Sequence, residues 1–359
     1  MIVTIAALLL AATASPQAKA STPTPKVLAT QPKNVILLIA DGTGPAHMTV
    51  AKHLRGDQFR IGTMPVVGLA TTQCADRAVT DSAAGATALA TGFKTNYETV
   101  SLDPKTGVAL ETVLERAEKG GKATGLVTTA YFWDATPAAF AAHAKHRHDP
   151  GIDRQVLSSG VDIVAGSGME DFQKDKVSPE LEKLAADTGF TVLATRAQLD
   201  ASKGMKLLAV FPWQARNVDA PEAPLPVLAK WAIDRLSDDP QGFFLMIEHE
   251  GTDSSSHQNQ TADVRKSLIS FDEAVGVALD FAQKRGDTLV VVTADHETGG
   301  LRLTETKQLA RLRLEWSTTD HTATAVHVFA YGPGSAAFAG FQDNTDVGKK
   351  LLGAVLTKP

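Results

Sequence analysis

Asp253 and His257 stand four residues apart, a spacing that puts both side chains on one face of a helical turn. A carboxylate and an imidazole so placed can chelate a metal ion. Asp295 and His296 are neighbours just past the apolar run DTLVVVT, and both can reach one cation if the backbone turns there. His321 lies in a polar stretch, STTDHTAT. Asp and His together suit zinc, with no sulfur needed. Glu248, Asp41 and Thr136 offer only oxygen, which suits magnesium better. Asp134 adds another acid nearby. Any one of these acids also reads as a helix cap or turn former. Several of them following separate apolar runs, with imidazoles close by, point instead to a metal centre.

The stretch Val79 to Gly92 (VTDSAAGATALATG) is the most unusual in the chain. Asp81 and Ser82 precede a run of tiny residues with high helix propensity. One reading makes Asp81 or Ser82 the cap of a tightly packed helix. The other puts the Ser82 hydroxyl at the positive end of that helix, where backbone N–H groups attract a phosphate. A serine hydroxyl is a poor nucleophile until its proton is removed. No G-x-S-x-G elbow is present, which disfavours a Ser-His-Asp hydrolase. A zinc ion could lower the hydroxyl pKa directly.

These residues need a scaffold, and the apolar runs supply one. Asn34-Ala40, Ala123-Thr129, Val161-Ala165, Gly242-Ile247, Asp287-Thr293 and Val326-Tyr331 are near-continuously apolar, as in parallel strands covered on both faces. Helical periodicity recurs between them, at Leu110-Lys119, Val227-Leu236, Ala262-Gln283 and Asp346-Leu356. The alternation predicts one α/β domain with a mainly parallel central sheet and helices on both faces. Ligands of such sheets sit beyond the strands' carboxyl ends. Asp41, Asp134, Glu248 and Asp295 all follow strand runs and so converge on that rim. His143, His146 and His148 (AAHAKHRHD) read as a solvated helix end.

The 359 residues carry 35 Lys+Arg against 40 Asp+Glu, a formal charge of −5, with 43% hydrophobic residues. That excludes general disorder, and the lack of a basic stripe argues against nucleic-acid binding. Ile2 to Ala14 is too short to span a bilayer but suits the apolar core of a signal peptide; Ala12-Thr13-Ala14 and Ala18-Lys19-Ala20 both suit a cleavage site, and the second is preferred because it leaves a polar Ser-Thr-Pro start. Residues 1–20 are expected to be removed on export to the periplasm or the medium, leaving 21–359 as one catalytic domain, its first residues (21–33) a flexible lead-in. The single cysteine, Cys74, excludes an intrachain disulfide and reads as an inert small residue.

Taken together, the segments resemble the alkaline phosphatases. Asn34-Gly44 (NVILLIADGTG) is similar to that family's first strand and metal aspartate. Thr80-Thr95 (TDSAAGATALATGFKT) is similar to its nucleophile helix, and Asp134-Ala139 (DATPAA) to its magnesium segment. Glu248 with Asp253-x-x-x-His257, then Thr293-His296 and Asp320-Thr322, are similar to its remaining ligand blocks. The resemblance implies two zinc ions, one held by Asp253, His257 and His321 and one by Asp41, Asp295 and His296. It implies one magnesium ion on Asp41, Thr136 and Glu248, with Asp134 reaching it through water. It makes Ser82 the serine that becomes phosphorylated and Arg147 the phosphate-binding arginine, with phosphate monoesters as substrates and a homodimer as the assembly. The segment between His296 and His321 is short, so the crown insertion of some relatives is expected to be reduced. Ser254 follows Asp253 where relatives often carry Lys, His or Trp, so Asp134 is expected to lack a cationic neighbour. A sulfatase is disfavoured by the missing C/S-x-P-x-R segment, and a diesterase by Arg147, Thr136 and Glu248. A phosphate- or metal-binding protein without turnover would not need Ser82. Thr136 and Arg147 are 11 apart, roughly 16 Å on a straight helix, so if both serve one site either the helix is shorter or the chain turns back before Arg147.

Overall fold

Asn34–Ala40 (β1) is buried at every position and lies inside a ten-stranded sheet. The computed structural model describes residues 31–168, 172–173, 176–212, 223–305 and 312–356; the export segment 1–20 and most of the lead-in lie outside these. The other sheet strands are Val66–Thr71 (β2), Ala123–Tyr131 (β3), Ile163–Ser167 (β4), Thr191–Leu193 (β5), Leu207–Phe211 (β6), Phe243–His249 (β7), Thr288–Thr293 (β8), Val326–Tyr331 (β9) and Gly340–Asp343 (β10). Their order across the sheet is β10-β2-β9-β8-β1-β7-β3-β4-β6-β5.

All run the same way except β9, which is antiparallel to both β8 and β2. The expectation of a parallel strand at Val326-Tyr331 is therefore corrected. His321 already lies at the rim where the parallel strands end, so the chain entering β9 from there must run back down. Apolarity reports burial on both faces and carries no information about direction.

The sheet is covered on both faces, as expected. Val35, Leu37 and Ile39 of β1 enter one apolar cluster with the helices Ser82–Thr91, Ala135–Ala141 and Asn344–Ala354. Ile36, Leu38 and Ala40 enter another, with Pro45–Arg55, Leu225–Leu236 and Thr261–Arg285. Strand alternation alone divides the two sets. The four strands not read from the sequence, β2, β5, β6 and β10, are peripheral, and most are short or only partly buried.

The central register sets the site. Ile39 lies opposite both Thr293 of β8 and Glu248 of β7, and Glu248 lies opposite Thr128 of β3. Four adjacent strands thus end level, and the residues just beyond them share one rim. Between His296 and His321 the described chain forms a small hairpin, Arg302–Glu305 with Leu312–Glu315.

Candidate metal and phosphate centre

Asp41 leaves β1 through a left-handed turn at Gly42 (φ +67°), where a Cβ would stand 2.7 Å from the Asp253 Cα. Only glycine lets the β1 turn and the Gly251–His257 helix approach this closely. Asp253 and His257 do share a face of that helix, with His257 Nε2 3.3 Å from Asp253 Oδ2. His321 Nε2 lies 3.5 Å from Asp253 Oδ1.

The two imidazoles have fixed tautomers. His257 Nδ1 is 2.5 Å from the Thr319 carbonyl, and His321 Nδ1 is 2.8 Å from the Thr80 carbonyl. A carbonyl oxygen only accepts, so each Nδ1 carries a proton. In the neutral rings both Nε2 atoms are then bare lone pairs, and they face each other at 3.0 Å. Two acceptors and a carboxylate turned on one point call for a cation, and ring nitrogens held from behind by carbonyls are what metal-ligating histidines require.

A second convergence lies beside the first. His296 Nε2 is 3.4 Å from Asp41 Oδ1 and 3.2 Å from Asp295 Oδ2, both buried oxygens without a hydrogen bond. The ligand atoms of Asp41, Asp295 and His296 lie within 4.8 Å of one another, as do those of Asp253, His296 and His321. Burial, then repulsion from Asp295 and Asp253, holds the Asp41 carboxyl well above the usual range. Burial pushes Asp295 up to about 6 and Glu248 up to about 8. Asp253 goes the other way despite its burial, because positive charge on the His257 and His321 rings favours its carboxylate, as a bound cation between them would. A divalent cation would cancel the mutual repulsion of these acids, so the residues present fit zinc at the Asp/His clusters and a hard cation at the oxygen-rich end.

Ser82 opens the Ser82–Thr91 helix, which is buried along its whole length. Asp81 is the N-cap, accepting from the Ala83 and Ala84 N–H groups. The capping and site readings are therefore compatible: Asp81 caps, and the Ser82 hydroxyl is left 3.2 Å from His296 Nε2. Gly85 lets this helix lie against the strand end, since a Cβ there would stand 2.8 Å from the Asp295 carbonyl oxygen.

Arg147 reaches the same cavity because the Ala135–Ala141 helix stops early. The chain then turns back, pairing Val100 with Ala144, and the Arg147 N–H donates to the Glu98 carbonyl. Arg147 Nη2 lies 2.9 Å from Asp134 Oδ1 and Nη1 3.5 Å from Asp81 Oδ2. Burial opposes its charge, but Asp134 and Asp81 hold it firmly protonated. This corrects the expectation that Asp134 lacks a cationic neighbour. It also corrects the solvated-helix reading of the histidines: the helix ends before His143, which is half-buried between the Ser101 carbonyl and Glu115. His146 pairs with Glu98.

Ser82, Asp41, Asp134, Thr136, Glu248, Asp253, His257, His321 and Arg147 all line one cavity of about 260 Å³; buried His296 lies against Ser82 and Asp41 of that lining, and buried Asp295 against His296. Sequence reasoning missed Glu250 and Thr298. Glu250 lines the cavity and accepts from Ser254, and Thr298 donates to Asp253. Glu250 had a signal, since residues two apart at a strand end face the same way as Glu248; Thr298 had none. Cys74 is buried and its thiol pKa is raised by that burial, consistent with an inert residue.

A doubly covered, mainly parallel sheet whose strand ends present carboxylates and imidazoles to a serine in the first turn of a buried helix fits a metal-dependent hydrolase. The comparisons with known proteins agree. The family model described as alkaline phosphatase matches residues 32–312 and 303–357. Alkaline phosphatase 3 of Bacillus subtilis is 30% identical, over 90% of this chain and 89% of its own length. The streptomycin-6-phosphate phosphatase of Streptomyces griseus is 31% identical over 91% of each. The solved alkaline phosphatase of the Antarctic bacterium TAB5 has a TM-score of 0.83 at 31% identity, covering 93% of this chain and all of that one. The chain belongs to the alkaline phosphatase family.

Proposed function

We propose that this protein hydrolyses phosphate monoesters through a phosphoserine at Ser82, releasing phosphate and an alcohol. The observation that carries this is the Ser82 hydroxyl at the N-terminus of a buried helix, 3.2 Å from His296 and in one cavity with Arg147. Arg147 would bind two phosphate oxygens through its planar fork. The Ser82 oxygen forms the bond to phosphorus as the bond to the alcohol breaks, and water then cleaves the phosphoserine.

Asp253, His257 and His321 would hold one zinc ion, Asp41, Asp295 and His296 a second. Asp41, Thr136 and Glu248 would hold magnesium, with Asp134 beside it; a variant of the TAB5 enzyme carries magnesium in its M3 site. When bound, such ions supply Lewis acidity, lowering hydroxyl pKa values and offsetting developing oxyanion charge.

Two further expectations belong to this reading. Export of a mature domain 21–359 rests on the signal-like residues 1–20, and among the described residues no helix is long and apolar enough to cross a membrane. A homodimer is supported by an exposed apolar patch at the sheet edge, where Val67, Leu69 and Phe341 are 56%, 38% and 70% exposed and Phe341 lies opposite Leu69.

The test is turnover of an aryl phosphate by Ser82→Ala with metal content measured in parallel. Loss of activity by roughly 10³-fold or more with metal retained is expected. Full turnover by the variant would sink the phosphoserine route.

A further inference from the structure

Next to the catalytic cavity lies a larger one, about 750 Å³, that shares Asp134 and Arg147 with it. The smaller space accommodates a phosphoryl group; the larger is of the size that ligand sites occupy. Its nearest aromatic wall is Trp133, the residue before Asp134. Trp133 is half-buried and braced by two rings: Phe132 meets it edge-on at 4.6 Å and 86°, and Tyr131 stacks on it at 5.0 Å and 21°. A ring braced this way is held in place before any ligand arrives, so packing against its cavity side has little ordering cost.

The rest of the described wall is rich in acceptors. Asp149, Asp153 and Glu180 face this space against Arg154, while Arg147 is already engaged by Asp134 and Asp81. Among the described lining residues three carboxylates stand against Arg154, which favours N–H donors and disfavours a second phosphate.

We propose that this groove receives the alcohol part of the substrate and selects monoesters whose alcohol carries a flat, amino-bearing ring, a nucleoside being the simplest. The proposal rests on the phosphomonoesterase reading above. The phosphate lies at Arg147, the chain of the alcohol passes over Asp134 and Arg147, the ring stacks on Trp133, and its amino group donates to the acid wall. Trp133 is then a specificity-determining residue outside the reacting atoms.

The test compares adenosine 5′-monophosphate with glycerol phosphate on the metal-loaded protein and its Trp133→Ala and Trp133→Phe variants. Trp133→Ala should raise KM for the nucleotide about 5- to 10-fold, the order that base stacking on an aromatic ring supplies. Its kcat, and both constants for glycerol phosphate, should stay within about twofold. Trp133→Phe should restore most of the nucleotide KM, which a merely misfolded variant would not permit. Equal changes for both substrates, or none for either, would overturn the groove assignment while leaving the phosphatase reading intact. No turnover of either ester by the unaltered protein would overturn both.

Discussion

The Nε2 atoms of His257 and His321 face each other at 3.0 Å, each ring fixed from behind by a backbone carbonyl. The residues are 64 apart in sequence, and neither imidazole can turn its Nε2 away without losing its carbonyl partner. A cation between the two rings and Asp253 would satisfy all three groups at once.

Metal removal should therefore destabilise the fold as well as stop turnover. With free zinc at about 100 times its dissociation constant, binding contributes roughly 2.7 kcal/mol. Chelation should lower the thermal midpoint by several degrees, and His321→Ala should bind one zinc fewer. Calorimetry with elemental analysis checks both; an unchanged midpoint on chelation would count against the site.

Arg147→Lys should behave almost as badly as Arg147→Ala. A lysine cannot span Asp81, Asp134 and two phosphate oxygens with one planar fork. Both variants should lose about 10²-fold or more in kcat/KM for an aryl phosphate, as loss of a fixed donor commonly does. Recovery of near-normal kinetics in the lysine variant would show that charge alone suffices.

Gly85→Ala tests the packing that presents Ser82. Its added methyl would stand 2.8 Å from the Asp295 carbonyl, so the helix must shift away from the strand end. Overpacking of this kind costs about 1–3 kcal/mol. A lower urea midpoint and a reduced kcat are expected together.

His143 gives a pH signature away from the metal ligands. The Glu115 hydrogen bond raises the His143 pKa, and its Nδ1 also faces the Ser101 carbonyl, so the geometry suits the doubly protonated ring. The stabilisation is fully present below the unfolded value of about 6.5 and fades as pH rises through the higher folded value. His143→Ala should cost most near pH 5.5, by under about 1 kcal/mol for a partly exposed pair, and least at alkaline pH. Denaturation curves across that range would show the opposite slope if the ring were neutral.

Phe341→Glu should leave the monomer folded but break self-association. The patch of Val67, Leu69 and Phe341 is exposed, so a charge there disturbs no core. Sedimentation should show the unaltered protein as a dimer and the variant as a monomer. A variant that remains dimeric would move the interface elsewhere.

Much of the site was legible because its residues advertise local geometry. Asp41 and Asp295 follow buried runs, so the level ends of adjacent strands deliver them to one rim. Asp253 and His257 obey helical spacing, and a short helix does present them together. The Ser82 segment announces its helix by composition and by its cap. These features depend on a handful of neighbouring residues, and local propensity and alternation decide them.

Other features depend on contacts between distant segments, which periodicity does not encode. The reversed direction of β9 followed from His321 already being at the rim. Arg147 reached Asp134 because the helix ended at Ala141 and the chain bridged back to Val100. The tautomers of His257 and His321 were set by the carbonyls of Thr319 and Thr80, the latter 241 residues from its imidazole. Residue types and spacing determined which chemistry the chain could perform. The folded backbone alone decided which lone pairs face each other, which charges share a cavity, and what lies beside it, because those are fixed by packing across the sheet.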